Sequence, residues 1–151
     1  FKQKTAYEIR NCDWSSDVCS SDLARIVDGL DTAPDGSEVP VIVFSKGCNG
    51  HLESLAQTGC AALGVDWTID LGEARKRVGD RVALQGNLDP AVLLASPPVI
   101  REQVKATLGA FGTGPGHVFN LGHGITPEVD PDHLGELIQA VAEFSPAQHV
   151  N

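Results

Sequence analysis

The sequence predicts an α/β fold of about four βα units with parallel strands, and two patterns carry this prediction. Short apolar runs rich in β-branched residues alternate at a regular interval with segments of helical periodicity. A helix between two strands returns the chain to the edge where it started, so neighbouring strands run parallel. Four such strands alone would leave long apolar edges unpaired. We therefore expect the C-terminal half of a (β/α)8 TIM barrel, with a small flavodoxin-like sheet as the alternative.

The predicted strands are short apolar runs at residues 39–44, 62–67, 82–85 and 118–121. The first is continuously apolar, as expected of a strand buried on both faces. Helices are predicted at residues 24–30, 51–58, 70–78, 99–111 and 130–144. In the longest connecting helix, one face is apolar: Ile100, Val104, Leu108 and Phe111. Ser96 precedes a proline and is expected to cap this helix.

Residues 1–23 do not share this organisation. They have neither helical nor strand periodicity, and no basic stretch is followed by an apolar one as in a signal peptide. The segment resembles the translation of a sequencing-library adapter, in which residues 13–23 fit the inner arm and residues 1–9 the outer arm. We therefore expect a non-native, disordered segment at residues 1–23 and a folded unit at residues 24–151, with a disordered native arm as the alternative.

The acidic composition argues against a nucleic-acid partner. The formal net charge is −9, and −8 without residues 1–23, where three basic and four acidic residues fall. The longest basic cluster, residues 75–77, is expected to be a solvated helix face.

No membrane partner is expected, because no signal peptide or spanning segment is recognised. Cys48 and Cys60 lie outside any CxxC spacing, so a reducing compartment, the cytoplasm, is expected.

Glycines and polar residues are concentrated where two predicted strands end, at residues 85–90 and 119–125. Each segment leads into a helix-like pattern. Parallel α/β folds place ligands at such strand ends, because the strands fix the backbone while the loops vary. Tight turns also favour Gly and Asn. Two such segments in succession, one with His123 between glycines, favour a binding site.

Three strings in these regions, taken in this order and spacing, are similar to the uroporphyrinogen decarboxylase family. They are Gly-Val-Asp-Trp at 64–67, Leu-Gln-Gly-Asn-Leu-Asp-Pro at 84–90 and Asn-Leu-Gly-His-Gly-Ile at 120–125. The resemblance runs in register from about Ala24 to the C-terminus. It implies the C-terminal part of a TIM-barrel decarboxylase of tetrapyrrole (haem) synthesis, homodimeric when full length. Such enzymes convert the four acetate side chains of uroporphyrinogen to the methyl groups of coproporphyrinogen without metal or organic cofactor.

The resemblance assigns one substrate-binding residue, His123, which matches the family's histidine on the loop after the eighth strand. An imidazole there can donate to a substrate carboxylate; a loop histidine bonded to backbone is the alternative. No catalytic residue, cofactor-binding residue or metal ligand is assigned. The family's N-terminal arginines, its aspartate, and the tyrosine and serine of its cleft have no counterpart here, and Tyr7 lies in residues 1–23. The chain alone is therefore expected to be inactive.

The other polar residues near element ends are expected to be structural. His117 enters a strand, while three further histidines flank helices and are expected to be solvated: His51, His133 and His149. Asp66 and Asp89 lie at strand ends, where aspartate also caps a following helix. Capping is favoured for Asp89, because a proline follows it.

Three alternative functions remain open on the sequence. A zinc-dependent cobalamin or thiol methyltransferase of the same superfamily would need a His-x-Cys after the first strand, whereas residues 45–48 read Ser-Lys-Gly-Cys and no cysteine follows Cys60. A phosphate-binding module would use the glycines of residues 112–116, but these precede a strand and phosphate loops follow one. The third alternative is a non-catalytic α/β fragment.

Overall fold

The computed structural model describes residues 18–30 and 32–148 as an α/β unit. In chain order its helices and strands are α1 (Val18–Asp28), β1 (Ile42–Phe44), α2 (Leu52–Leu55), β2 (Ala62–Gly64), α3 (Leu71–Val78), β3 (Ala83–Leu88), α4 (Pro97–Phe111), β4 (His117–Leu121) and α5 (Pro131–Phe144). Short 3-10 turns lie at Asn49–His51, Pro90–Leu94 and Ser145–Gln148. Helices and strands alternate from α1 to α5, as the apolar periodicity predicts.

The four described strands form one parallel sheet in the order β1-β2-β3-β4. Each strand pairs with the next one along the chain, so their C-terminal ends lie at a common edge. This confirms the predicted adjacent parallel strands. The unbroken sequential order is that of a portion of a (β/α)8 barrel, whereas a flavodoxin-like sheet changes direction within its strand order.

The strands differ in length from the predicted apolar runs, because pairing sets their ends. β1 contains only three residues. Ahead of it, Val39 is exposed and Pro40 has no N–H to donate to a ladder. β3 extends beyond residue 85 to Leu88, since its last three residues pair with residues 119–121 of β4. Most of the glycine-framed segment at residues 85–90 is therefore strand rather than loop.

Helices cover one face of the sheet and bury it in two apolar clusters. α2 and α3 pack over β1, β2 and the start of β3 around Leu63 and Leu84, and α4 and α5 pack over β3 and β4 around Leu88 and Leu93. The predicted apolar face of α4 is confirmed, since all four of its residues are buried. On the opposite face of the sheet, large side chains are about half exposed: Ile42, Phe44 and Val118.

α1 begins inside the segment predicted to be disordered. Residues 18–23 form its first turns, in contrast to the predicted boundary after residue 23. Leu23 and Val27, four residues apart on one helical face, pack against the core. Asp22 Oδ1 lies 3.7 Å from Arg25 Nη1 one turn later. These contacts stabilise the helix on both sides of residue 23. Residues 1–17 lie outside the described residues, and the prediction made for them is untested.

The basic cluster of α3 is not the solvated face that its charge predicts. Arg75 donates to the Phe111 carbonyl oxygen at the end of α4. Arg77 makes two 2.6 Å hydrogen bonds to the carboxylate of Glu53 in α2. Of these three residues, Lys76 is the one that is solvated as predicted, because its side chain is 79% exposed. The helical position of these residues follows from the sequence, whereas their partners come from neighbouring helices.

Aspartates at three N-caps accept hydrogen bonds from backbone N–H groups inside the following turn: Asp70, Asp89 and Asp130. The predicted capping role of Asp89 is therefore confirmed. Ser96 occupies the N-cap position of α4, but its hydroxyl makes no capping hydrogen bond. Pro98 offers no N–H at the second helical position, and the Val99 N–H is directed to the Ser96 carbonyl oxygen.

Candidate functional site

The sheet brings the polar residues of the sequence motifs to one edge, where the C-terminal ends of its strands meet. The loops after β1, β2 and β4 contact one another there, in the position where barrel enzymes bind ligands. We call this edge the strand-end face, defined by Lys46, Asp66, Trp67, Asn87 and His123.

Asp66 joins the loop after β2 to the loop after β1. Its side chain is 1% exposed. One carboxylate oxygen accepts the Gly47 N–H at 3.1 Å, and the other accepts the Thr68 N–H at 2.9 Å. A buried carboxylate requires such donors to offset the water that it loses. Asp66 therefore positions two loops and does not present its carboxylate to a ligand.

Asn87 holds the loop after β2 from the neighbouring strand. Its side-chain amide donates to the carbonyl oxygens of Asp66 at 2.9 Å and Ile69 at 2.7 Å. These two acceptors flank Trp67 in the sequence, so the bonds fix the backbone on both sides of the indole ring. Asn87 belongs to the glycine-framed segment singled out by the sequence, and its contacts are with protein backbone.

Two motif glycines permit close backbone approach at this face. A Cβ atom on Gly86, whose φ is +140°, would lie 2.7 Å from the Val65 carbonyl oxygen. A Cβ atom on Gly122 would lie 2.8 Å from the Trp67 Cβ atom. Any side chain at residue 122 would therefore push the loop after β4 away from β2. The glycine ahead of His123 thus brings this histidine to Trp67.

Trp67 is the centre of a contact between three loops. The His123 ring meets it edge-on, with 5.5 Å between ring centroids and an interplanar angle of 82°. Lys46 Nζ lies 5.1 Å from the centroid of the Trp67 ring. Lys46 and His123 are exposed and Trp67 is half-buried. The side chains of Lys46 and His123 thus both contact the Trp67 ring and are exposed to solvent.

His123 lies beyond the end of β4, on the strand-end face. Among the described residues its ring contacts Trp67, and no backbone group is hydrogen-bonded to it. An exposed imidazole in this position can donate a hydrogen bond to an anionic ligand. Substrate binding by His123 stays a prediction.

Two other histidines are fixed by backbone carbonyl groups. His117 Nε2 lies 2.8 Å from the Gly86 carbonyl oxygen, in agreement with its predicted structural role. His133 Nδ1 lies 2.8 Å from the Leu93 carbonyl oxygen. The prediction that His133 is simply solvated is therefore wrong, because the turn after β3 packs against the start of α5. His149 lies outside the described residues.

The cysteines are buried free thiols. Cys48 donates to the Ser45 carbonyl oxygen at 2.7 Å, and burial raises the pKa of this thiol. Cys60 packs in the same apolar cluster. No group of three or more His, Cys, Asp or Glu side chains suited to a metal ion occurs within residues 18–30 and 32–148. Within the same residues, no helix is both long and apolar enough to cross a bilayer.

The glycine-rich link at residues 112–116 forms the turn before β4, at the edge opposite His123. The Gly114 N–H donates to the Gln148 carbonyl oxygen at 3.0 Å, and Arg75 donates to the Thr113 carbonyl oxygen at 2.8 Å. These hydrogen bonds anchor the turn to α3 and to the 3-10 turn after α5. The link therefore stabilises the packing of the helical layer.

Sequence reasoning assigned His123 to the site but missed Lys46 and its contact with Trp67. Lys46 lies just after the end of one predicted strand, as His123 does after another, and Trp67 is the last residue of a third. Charge at a strand end is the signal that could have identified Lys46. Its approach to Trp67 depends on the pairing of β1 with β2, which periodicity does not specify.

Comparison with known proteins identifies the family. The Uroporphyrinogen decarboxylase (URO-D) family profile matches residues 16–144. The chain is 61% identical over 127 residues to the uroporphyrinogen decarboxylase of Hydrogenovibrio crunogenus, 61% over 123 residues to that of Alcanivorax borkumensis and 59% over 127 residues to that of Pseudomonas aeruginosa. These matches cover 84%, 82% and 84% of the chain, but 36%, 35% and 36% of the relatives. The chain thus spans about a third of the length of these curated relatives, and it belongs to the uroporphyrinogen decarboxylase family.

Proposed function

We propose that this chain is the C-terminal part of an enzyme that decarboxylates the four acetate side chains of uroporphyrinogen, giving coproporphyrinogen. The observation that carries the proposal is the 61% identity over 127 residues to the uroporphyrinogen decarboxylase of Hydrogenovibrio crunogenus. Because the chain spans about a third of that relative, the carboxy-lyase activity is proposed for the longer protein. The chain alone is expected to be inactive.

The reaction needs an acid and a surrounding that tolerates positive charge on a pyrrole ring. Protonation of the ring carbon next to the acetate makes the ring cationic. The bond to CO2 then breaks, and its electron pair moves into the ring. The exocyclic carbon takes up a proton to become a methyl group, and the ring carbon releases the proton that it first received, which restores the neutral pyrrole. The proposal includes no metal ion and no organic cofactor, and it places the proton-transfer groups outside this chain.

His123 is proposed to bind a carboxylate of the substrate. Its exposure on the strand-end face and the absence of a backbone hydrogen bond among the described residues support this role. An imidazole N–H that donates to an ionised carboxylate makes a charge-assisted hydrogen bond, which is stronger than a bond between neutral groups. Such a contact orients one side chain of the tetrapyrrole at the mouth of the barrel.

A chimera tests the proposed function directly. The segment of the Hydrogenovibrio crunogenus enzyme that matches this chain is replaced by the 127 matched residues, giving a full-length protein that contains the strand-end face. We expect this full-length chimera to convert uroporphyrinogen to coproporphyrinogen with release of four CO2. A folded chimera without this activity, as judged by circular dichroism and product analysis, would contradict the proposal. Stoichiometric zinc in that inactive protein would favour the methyltransferase alternative.

The longer protein is further proposed to be a cytoplasmic homodimer. The family resemblance supports the dimer, and two buried free thiols suit a reducing compartment. Sedimentation of the full-length chimera as a dimer is the expected result, and a monomer at enzymatic concentrations would contradict it. Localisation is tested by fractionating cells that express the native gene.

Residues 1–23 are proposed to be of non-native origin, derived from a sequencing adapter. The adapter-like reading of the segment supports this origin, and the helical state of residues 18–23 does not bear on it. Resequencing of the genomic locus upstream of the Ala24 codon is the test. A native coding sequence that reproduces residues 1–23 would contradict the proposal.

A further inference from the structure

Lys46 differs from Arg77 and Arg101, which pair with carboxylates on the helices. It lies on the loop after β1, and its ammonium nitrogen faces the Trp67 ring at 5.1 Å from the centroid. Among the described residues no carboxylate lies within ion-pair distance of it. The nearby buried carboxylate of Asp66 accepts two backbone N–H groups instead. The positive charge of Lys46 is therefore held in place on the strand-end face without being neutralised.

The loop after β4 brings a second nitrogen-bearing side chain to the same aromatic ring. His123 meets Trp67 edge-on at 5.5 Å, an approach that the missing side chain of Gly122 permits. Lys46 and His123 come from the two outer strands of the described sheet, and Trp67 comes from an inner one. A ligand anion at the exposed rim of Trp67 would meet hydrogen-bond donors from both loops.

We infer that Lys46 is a substrate-binding residue, which together with His123 binds a carboxylate of the tetrapyrrole at the rim of Trp67. This inference rests on the proposed function and adds a specificity-determining cation to it. Cation–π contact with an indole limits the positions of the lysine chain without consuming its hydrogen-bond donors. All three ammonium hydrogens remain available to oxygen atoms of a ligand.

Trp67 is a positioning residue in this arrangement. Its ring contacts both Lys46 and His123, and its backbone is fixed by the hydrogen bonds of Asn87 to the carbonyl groups on either side. A rigid ring keeps the two donors apart in a fixed geometry before substrate arrives. The entropy lost on binding is therefore smaller than for two free side chains.

The test compares two lysines that both lie over aromatic rings in the full-length chimera. Lys46→Met removes the charge at the strand-end face, and Lys105→Met removes that of Lys105, which lies 5.9 Å from the Phe144 ring on the helical layer. We expect Lys46→Met to raise KM for uroporphyrinogen roughly tenfold with kcat changed less than about twofold, because a charged hydrogen bond to substrate is lost. Lys105→Met is expected to leave both constants unchanged.

Charge rescue and salt dependence separate binding from structure. Lys46→Arg is expected to restore most of the affinity, and KM of Lys46→Met should depend less on ionic strength than KM of the parent. Coproporphyrinogen, which has lost its acetates, identifies the carboxylate. If its inhibition constant rises with KM, a propionate is bound; if only KM rises, an acetate is bound.

The outcomes distinguish this inference from the proposed function. An unmutated chimera that is folded but inactive would overturn the function, and the inference with it. An active chimera in which Lys46→Met and Lys105→Met have the same KM as the parent would overturn the inference alone. A rise in KM for Lys46→Met that Lys46→Arg fails to reverse would also overturn it, because charge would then not be the cause.

Discussion

The helical layer and the strand-end face use charged side chains in opposite ways. On the helices, Arg77 binds Glu53, and Arg101 of α4 binds carboxylates of α5. On the strand-end face, Lys46 and His123 contact an aromatic ring and have no carboxylate partner among the described residues. Charges satisfied inside the protein stabilise neighbouring helices against one another. Charges left open, on a rigid support, are suited to an anionic ligand.

Asp66 belongs to the strand-end face, but its charge is satisfied inside the protein, and it offers the strongest way to break the comparison. Asp66→Ala leaves the Gly47 and Thr68 N–H groups without their buried acceptor. We expect the free energy of unfolding of the full-length chimera to fall by about 3 kcal/mol in urea titrations, because hydrogen bonds to charged groups contribute roughly 1.5–3 kcal/mol each. Activity should fall too, since the loops that carry Lys46 and Trp67 lose their link.

The control is Asp89→Ala, which removes an exposed capping carboxylate after β3. A cap of this kind is worth about 1 kcal/mol. Equal losses of stability for Asp66→Ala and Asp89→Ala would show that burial gives Asp66 no special role.

Arg75 sharpens the comparison from the helical side. Arg75→Met removes the guanidinium group, which lies 4.1 Å from the centroid of the Phe111 ring and donates to the Phe111 and Thr113 carbonyl oxygens. We expect a loss of unfolding free energy of about 2 kcal/mol with KM unchanged. Lys76→Met, on the exposed side of the same helix, should change neither quantity. A change in KM for Arg75→Met would contradict the separation of the two regions.

The pair of Glu53 with Arg77 predicts a smaller, pH-dependent effect. Hydrogen bonds from Arg77 lower the pKa of Glu53 from 4.5 to about 2. Because the folded-state pKa is lowered, ionised Glu53 stabilises the fold above pH 4.5, and this contribution is lost as the pH falls toward 2. Glu53→Gln should reduce stability by about 1 kcal/mol near neutral pH, the upper end for partly exposed pairs.

Urea midpoints of parent and Glu53→Gln should therefore converge as the pH falls from 4.5 to about 2. Glu73→Gln is the control, because Glu73 pairs with Lys76 at 3.8 Å on an exposed surface. A difference between parent and Glu53→Gln that stays constant over this range would show that the ion pair contributes nothing through ionisation.

The parts of the fold that depend on local pattern were predictable from the sequence, and those that depend on pairing were not. The buried face of α4 follows from the spacing of Ile100 and Val104, and the strand order follows from the alternation of elements. The extension of β3 through Leu88 required β4 as a partner. The start of α1 at Val18 was not evident from local pattern either, because it depends on a core against which Leu23 and Val27 pack.

The same division applies to the candidate site. His123 was predictable because a motif places it between glycines after a strand. Its contact with Trp67 was not, since it requires Gly122 to lie against the backbone of another loop. The partners of Arg75 were also hidden, because they are carbonyl oxygens of residues that follow it by more than 30 positions.

The most direct test of the account compares His123→Asn with His133→Asn in the full-length chimera. The His123 ring contacts Trp67 and has no hydrogen bond among the described residues, whereas His133 Nδ1 lies 2.8 Å from the Leu93 carbonyl oxygen. Steady-state kinetics on uroporphyrinogen and a thermal melt are measured for each variant. We expect His123→Asn to lower kcat/KM roughly ten- to a hundredfold with the melting temperature unchanged, and His133→Asn to lower the melting temperature with kcat/KM unchanged. Unchanged kinetics and a large fall in melting temperature for His123→Asn would contradict the account and assign His123 to the structure.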